Sequence, residues 1–176
     1  MTEKVIEGER IYFRALTSED ATEEYLSWLN DPEINQFLES RFSEQSIDSI
    51  KDYIESCKDD GHLFAVVRTE DDAHIGNVRL NNVSTVHSNA DMGIMIGRKD
   101  CHGQGYGTET IKLAVRFAFE EMKLHTVSAH AYAKNIASVS AFTKAGFTEQ
   151  GRKTEVRKWN DHYMDEVMLG VVNNDR

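Results

Sequence analysis

Proline is almost missing from this chain: Pro32 stands alone among 176 residues. No proline-, glycine- or serine-rich linker divides the sequence, so residues 1–176 read as one domain, long enough to bury a core without staples. Cysteine is nearly as scarce. Cys57 and Cys101 lie far apart with no Cys-x-x-Cys pair, and the seven histidines form no His-x-x-x-His or His-Glu-x-x-His spacing, so no metal is expected. Long apolar runs are missing too: a run such as Leu63–Val67 is far short of the about 20 residues that cross a bilayer. Met1-Thr2-Glu3-Lys4 lacks the basic flank and apolar stretch of a secretory leader, which makes the cytoplasm the expected location. Positive charge is outnumbered, with 20 Lys and Arg against 30 Asp and Glu and a net charge of −10. That balance lacks the basic footprint of a nucleic-acid binder, so neither nucleic acid nor membrane is an expected partner. It favours steering of a cationic ligand, although solubility alone accounts for it.

What is present alternates between strand and helix. Ile11, Phe13 and Ala15 alternate with Tyr12 and Arg14, predicting a first strand. Thr17 and Asp20 resemble a capping box. Ala21, Tyr25, Trp28 and Leu29 then share a helical face that closes at Pro32, because the residue before a proline avoids helical angles. Ile47, Ile50, Ile54 and Cys57 mark a second helix, with Cys57 on its apolar face. Strands are expected over Leu63–Arg68, His74–Leu80 and Ala90–Ile96. Ile111, Ala114, Val115, Ala118, Phe119 and Met122 form the clearest amphipathic helix. A strand over Thr126–Ala133, a short helix over Ile136–Ala145 ended by Gly146, and a hairpin of Thr148–Arg157 with Tyr163–Val172 complete the pattern. The order predicts an α/β (α+β) layer fold, with helices packed on a largely antiparallel sheet.

The most informative stretch runs Ile94-Met95-Ile96-Gly97-Arg98-Lys99-Asp100-Cys101-His102-Gly103-Gln104-Gly105-Tyr106-Gly107-Thr108. A strand ends, three alternating glycines follow, and a strong helix begins. Glycines let backbone N–H groups converge, and a helix start adds unpaired donors with partial positive charge, which suits a pyrophosphate. A P-loop would end in Gly-Lys-Ser/Thr, and Gly107-Thr108-Glu109 does not. A Rossmann fingerprint would read Gly-x-Gly-x-x-Gly, and this spacing is Gly-x-Gly-x-Gly. A plain turn is the third reading. Cys101, just before the glycines, is either a small apolar filler or a nucleophile.

His102-Gly103-Gln104-Gly105-Tyr106-Gly107 resembles the Gln/Arg-x-x-Gly-x-Gly/Ala pyrophosphate loop of the GNAT superfamily of N-acetyltransferases, with His102 in place of Gln or Arg. Asn135-Ile136-Ala137-Ser138 through Phe142-Thr143-Lys144-Ala145-Gly146-Phe147 resembles a second motif of that family, in the right order. Arg10–Leu16 and Tyr163–Glu166 look like the branch that includes the ribosomal-protein N-terminal acetyltransferases, so the resemblance covers nearly the whole chain. It implies a mixed, mostly antiparallel twisted sheet whose central strands splay to form an acetyl-CoA cleft. Ile94, Met95 and Ile96 would offer backbone donors to the acetyl carbonyl, and Asn135 and Ser138 would bond along the pantetheine arm. Taken alone, Asn135 is a helix cap and Gly146 a helix stop.

Acetyl transfer needs a deprotonated amine, and an alkylamine with a pKa of ~10.4 is free base about once in a thousand at pH 7. Ser128, His130 and Tyr132 share one strand face. Some relatives carry a base-like Glu at the place of His130, and an imidazole suits neutral-pH proton transfer, so His130 is the candidate base. The family's acid is a Tyr at the place of Phe142, which donates nothing and is expected against the cofactor arm; Tyr132, Tyr163, Cys101 or water would substitute. The stretches Tyr25–Pro32 and Glu39–Phe42 would wall the acceptor cleft. Expected acceptors are a nucleotide-linked amino sugar, with Arg14, Arg41 or Arg79 meeting phosphates; a protein N-terminal amine; or a polyamine drawn by Glu39, Asp91 and Asp165. A non-catalytic acetyl-CoA binder is the alternative, and a homodimer is an expectation by family analogy alone.

Overall fold

The computed structural model describes residues 3–175. Met1 and Thr2, which entered the reading of the N-terminus, lie outside the described residues. The strands are β1 (Lys4–Glu7), β2 (Ile11–Ala15), β3 (His62–Arg68), β4 (Ala73–Ser84), β5 (Asn89–Ile96), β6 (Thr126–Tyr132), β7 (Thr148–Trp159) and β8 (His162–Val172). The helices are α1 (Glu23–Asn30), α2 (Pro32–Asn35), α3 (Ile47–Ser56), α4 (Tyr106–Glu120) and α5 (Ile136–Lys144). All eight strands join one sheet in the order β1-β2-β3-β4-β5-β6-β8-β7. The β5–β6 pair is parallel, and the crossover that a parallel pair requires is α4. The other pairings are antiparallel.

Alternation along the strands gives the sheet two unlike faces. One carries Ile11, Phe13, Phe64, Val78, Leu80, Met92, Val127 and Ala129, packed with Ile111, Ala114 and Ala118 of α4 and Phe142 of α5. The other carries Tyr12, Ala65 and Val67 beneath Tyr25, Trp28 and Leu29 of α1 and Ile50 and Ile54 of α3. Register continues this second face through polar residues: Asn77 sits between Ala65 and Met95, and Arg79 between Leu63 and Gly93.

Local chemistry explains the helix boundaries. Thr22 accepts the Tyr25 N–H at 3.2 Å and starts α1, so Ser18–Asp20 forms only a 3-10 turn, and the helix begins later than the Thr17–Asp20 pattern suggests. Asp31 is extended, as expected before proline. Pro32 then also opens α2, at a first position where its missing N–H is not needed. α4 starts at Tyr106, five residues before the apolar repeat, because Gly105 at φ 84° caps it and Tyr106 is itself buried. β1 escaped the sequence reading: its four residues are nearly all exposed, so no apolar alternation marks it. Gly146, at φ 101°, ends α5 as expected.

Two glycines of β5 and its end meet opposite surroundings. A Cβ on Gly97 would lie 2.0 Å from the Trp28 ring, whereas one on Gly93 meets nothing within 4 Å. Gly97→Ala is therefore expected to lower the unfolding free energy by about 1–3 kcal/mol through overpacking. Gly93→Ala should stay within about 0.5 kcal/mol of the parent. Urea unfolding of the two variants tests the pair; equal stabilities would show that α1 does not seat against Gly97.

Candidate active site

The sheet opens between its two central strands. β5 and β6 pair from Asn89↔Thr126 to Met92↔Ala129 and then part, although β5 stays on β4 to Ile96 and β6 stays on β8 to Tyr132. Gly97 N–H donates to Ile75 O on the β4 side at 2.9 Å. Alternation therefore turns the backbone groups of Met95 and Gly93 towards β4 and those of Ile94 and Ile96 towards the opening. The Ile96 carbonyl takes the His102 ring N–H at 2.7 Å. Of the three residues Ile94, Met95 and Ile96, Met95 thus offers the opening a side chain and not a backbone donor.

On the α4–α5 side lies a cleft of about 640 Å³, lined by Ile94–Ile96, by Cys101–Gly103 and Gly105–Thr108, and by Asn135–Ser138. Gly103 and Gly105 have φ of 70° and 84°, a region costly for other residues, and space around Gly103 is open. No side chain caps α4, which leaves its first N–H groups to the cleft. From behind, Arg10 ties the loop down. Its backbone N–H and Nε reach Glu109 at 2.7 and 2.8 Å, Nη1 donates to Gln104 O at 3.0 Å, and the guanidinium lies 4.3 Å from the Tyr106 ring centre. Gln104, expected among the cofactor-binding residues, is turned away because its side chain donates to Asp100 O. Lys134 and Lys144, not anticipated from the sequence, line this cleft. Burial pushes the Cys101 thiol up, which makes it a poor nucleophile and supports the filler reading. The Asn135 side chain does cap α5, accepting the Ser138 N–H at 3.2 Å.

On the opposite side lies a second cleft of about 630 Å³. Asn77, Arg79 and Gly93 form its floor, Tyr25, Leu29, Glu39 and Ser40 one wall, and His130, Tyr132 and Arg157 another. Phe37, Leu38, Ile94, Met95, Asn135 and Ser138 line both clefts, so the two meet at the opening. Phe142 lines this second cleft and not the glycine-loop cleft where it was expected, because its ring packs edge-on against Phe147 at 4.9 Å. Tyr163 lines neither cleft and is 62 % exposed. Of the arginines considered for phosphates, Arg79 alone lines this cleft; Arg14 pairs with Asp20, and Arg41 bonds Tyr132 and the Lys158 carbonyl.

A buried carboxylate organises the β6 side of the second cleft. Glu166, 3 % exposed, stands opposite Tyr132 in the register and reaches His130 Nδ1 at 3.0 Å, Lys153 at 3.2 Å and Arg157 Nε at 2.5 Å. His130 Nε2 lies 4.0 Å from Asp91. The Tyr132 hydroxyl donates to Glu39 at 2.6 Å and accepts from Arg41 at 3.1 Å; burial, with the Glu39 bond, raises its pKa. Arg157 bridges to Glu39 at 3.1 Å. His130 and Tyr132, paired by alternation, are thus brought together with Glu39. Glu166 and Arg157 were missed, although a carboxylate beside apolar Val167 in a strand is a readable signal. Ser40 Oγ, Asn77 Nδ2 and Arg79 Nε are buried without a hydrogen-bond partner among the described residues, each at a cost of about 1–3 kcal/mol. All three residues line this cleft.

Residues 10–148 match the family model of the acetyltransferase (GNAT) domain. The chain belongs to this family. It is 30 % identical over 179 residues to the probable N-acetyltransferase YjcK of Bacillus subtilis, covering 97 % of this chain and 98 % of that protein. YdaF of the same organism, provisionally assigned as a ribosomal N-acetyltransferase, is 28 % identical over 97 residues, covering 55 % of this chain and 52 % of its own length. A spermidine N-acetyltransferase from Vibrio cholerae, solved with CoA and spermine, superposes with a TM-score of 0.82 at 24 % identity, covering 94 % of this chain and 96 % of that one. This GNAT protein is an N-acetyltransferase, and its fold is one that binds acetyl-CoA. Among the described residues no group of three or more His, Cys, Asp or Glu is placed to hold a metal ion, and no helix is long and apolar enough to cross a membrane.

Burial alone would raise the Glu166 carboxyl, but bonds from Lys153, Arg157 and His130 outweigh it and hold it below the ordinary 4.5. A depressed carboxylate stabilises the fold above its unfolded pKa, and that contribution is lost as pH falls through the folded value. Glu166→Gln is expected to cost about 1–3 kcal/mol at pH 7, with the gap to the parent narrowing below about pH 4.5. Denaturant unfolding at pH 7 and pH 3 checks this; a gap independent of pH would remove the ion-pair account.

Proposed function

We propose that this GNAT enzyme moves acetyl directly from acetyl-CoA to a primary amine, the acceptor being a nucleotide-linked amino sugar or a protein N-terminal amine. The observation that carries the proposal is the meeting of the two clefts at the β5–β6 opening. A thioester entering from the glycine-loop side and an amine entering from the other side reach one place, next to Ile94.

Acetyl-CoA supplies an acyl group activated as a thioester. The open backbone donors of Gly103, Gly105, Tyr106, Gly107 and Thr108, the positive end of α4 and the lysines 134 and 144 suit its pyrophosphate. His102 contributes by holding the strand end to the loop through Ile96. Ser138 and the free amide end of Asn135 lie along the path of the pantetheine arm. The Ile94 N–H faces the opening and is placed to receive an oxyanion. His130 acts as base: Glu166 accepts a hydrogen bond from the Nδ1–H, which fixes the tautomer and leaves Nε2 to accept a proton from the amine. Tyr132, bound to Glu39, shapes the amine side. A coenzyme A thiolate resembles an ordinary thiolate with a pKa of ~8.5, so it leaves without a dedicated acid at Phe142.

The test is release of free thiol from acetyl-CoA over a panel of nucleotide-linked amino sugars, peptides with free N-termini and polyamines. Release with one of the first two classes is expected. Silence over the whole panel with tight acetyl-CoA binding would favour a non-catalytic binder. Gly93→Leu, which fills the acceptor floor without touching the glycine loop, is expected to lower kcat/KM for the amine about a hundredfold and to leave the acetyl-CoA dissociation constant within about twofold. His130→Gln is expected to lower kcat about a hundredfold and to flatten the acid limb of the pH–rate profile. An unchanged profile would exclude His130 as the base.

A further inference from the structure

Arg79, Gly93 and His130 lie in one row across three strands. Arg79 pairs with Gly93 in the β4–β5 register, and Gly93 and His130 each follow the last β5–β6 pair, Met92↔Ala129, by one residue. With paired strands about 5 Å apart and β5 and β6 parting beyond Met92 and Ala129, the two ends of the row stand at least about 10 Å apart at the backbone. Gly93 contributes no side chain between them, and a Cβ there meets nothing within 4 Å. The space over Gly93 is therefore open floor, bounded at one end by His130 and at the other by Arg79.

The two ends differ in what they offer. At the His130 end Glu166 is engaged by His130, Lys153 and Arg157, Glu39 by Tyr132 and Arg157, and Asp91, 4.0 Å from His130 Nε2, by the Asn82 amide. At the Arg79 end the donors exceed the acceptors. Arg79 gives one N–H to Asp60 at 2.9 Å and lies 5.6 Å from the Tyr53 ring centre, but its Nε and the Nδ2 of neighbouring Asn77, beside Tyr25, meet no hydrogen-bond geometry with any described residue, and Asn77 is only 6 % exposed. Among the described residues lining this cleft the fixed charges are Arg79, Arg157 and Glu39, with Asp60 and Glu166 behind the two arginines. Orphaned donors beside a guanidinium match an oxyanion, whereas a cation would find Glu166 and Glu39 already ion-paired and only Asp91, bonded by the Asn82 amide, without a Lys or Arg partner.

Resting on the acetyl-transfer reading above, we propose that the acceptor is an amine that also carries an anionic oxygen group, a carboxylate or a phosphate. The amine lies at His130, the body of the molecule over Gly93, and the oxyanion against Arg79 and Asn77. Arg79 is then a specificity-determining residue, and polyamines are excluded.

Matched acceptors test this. Glucosamine 6-phosphate is compared with glucosamine, and 6-aminohexanoate with 6-aminohexanamide, so that one arm reads phosphate and the other a carboxylate far enough from the amine to span the row; spermidine is the cationic control. The anionic member of at least one pair is expected to have the higher kcat/KM by at least about tenfold. Arg79→Gln is expected to bring that ratio close to one, and Arg79→Lys to retain part of it. Asp60→Asn removes the ion-pair partner and keeps the donors. If it abolishes the preference as Arg79→Gln does, Arg79 is merely structural and the proposal fails. Melting temperature and acetyl-CoA affinity report whether each variant folds. Equal or better turnover of the neutral amines or spermidine overturns the proposal. If no acceptor is turned over, calorimetric binding of the same probes in the presence of CoA decides separately. Arg79-dependent binding of an anionic amine upholds the subsite while the catalytic reading falls, and no such binding overturns the subsite.

Discussion

The site depends on the place where β5 and β6 stop pairing. Two parallel strands that remained bonded to their ends would close the sheet, bury the backbone groups of Ile94 and Ile96 in a ladder, and separate the α4–α5 side from the α1–α3 side. Each strand is held by its outer neighbour instead, β5 by β4 and β6 by β8, so the sheet opens without losing its edges. The backbone groups freed by the opening need partners in a dry setting. One, the Ile96 carbonyl, finds the His102 ring. The Ile94 N–H is left facing the junction of the two clefts.

The unlike faces of the sheet follow from the same geometry. The α4–α5 face is apolar across nearly its whole width and anchors the long helix whose start closes the glycine loop. The opposite face is apolar only under α1 and α3; beyond them the rows turn to Asn77, Arg79, Asp91, His130 and Glu166. A polar band of this kind is costly in a bare core; at its β6–β8 end it is maintained by the pairing of Glu166 with His130, Lys153 and Arg157, whereas Asn77 and Arg79 keep donors unpaired. Arg10, outside both clefts, does comparable work for the loop by holding Gln104, Tyr106 and Glu109 together.

Local patterns made much of this legible. Ile11 to Ala15, the repeat from Ile111, and the cap at Asn135 with the stop at Gly146 each declare an element through spacing alone. The glycines between His102 and Gly107 declare an anion loop through backbone freedom. Less was legible where placement depends on distant partners. β1 has no apolar rhythm and is defined by pairing with β2. Gln104 sits within the motif yet faces outward, because its side chain finds Asp100 and its carbonyl finds Arg10. Phe142 is drawn into packing with Phe147. Glu166 and Arg157 reach His130 and Glu39 only because the β6–β8 and β7–β8 registers align them, and no spacing within one segment encodes that alignment.

The two clefts draw on different parts of the chain. Most of the glycine-loop cleft comes from one continuous stretch, from Ile94 through Lys144. The second cleft adds to His130 and Tyr132 of that stretch pieces from before and after it: the α1–α3 segment, the β4 floor, and Arg157 on the β7–β8 hairpin. Substitutions that reshape the pocket for a new amine therefore need not alter the glycine loop or the helix behind it. On the proposed function the chain is a fixed reagent holder with an interchangeable substrate port, and divergence between members of such a lineage is expected to concentrate at the port and to spare the glycine loop.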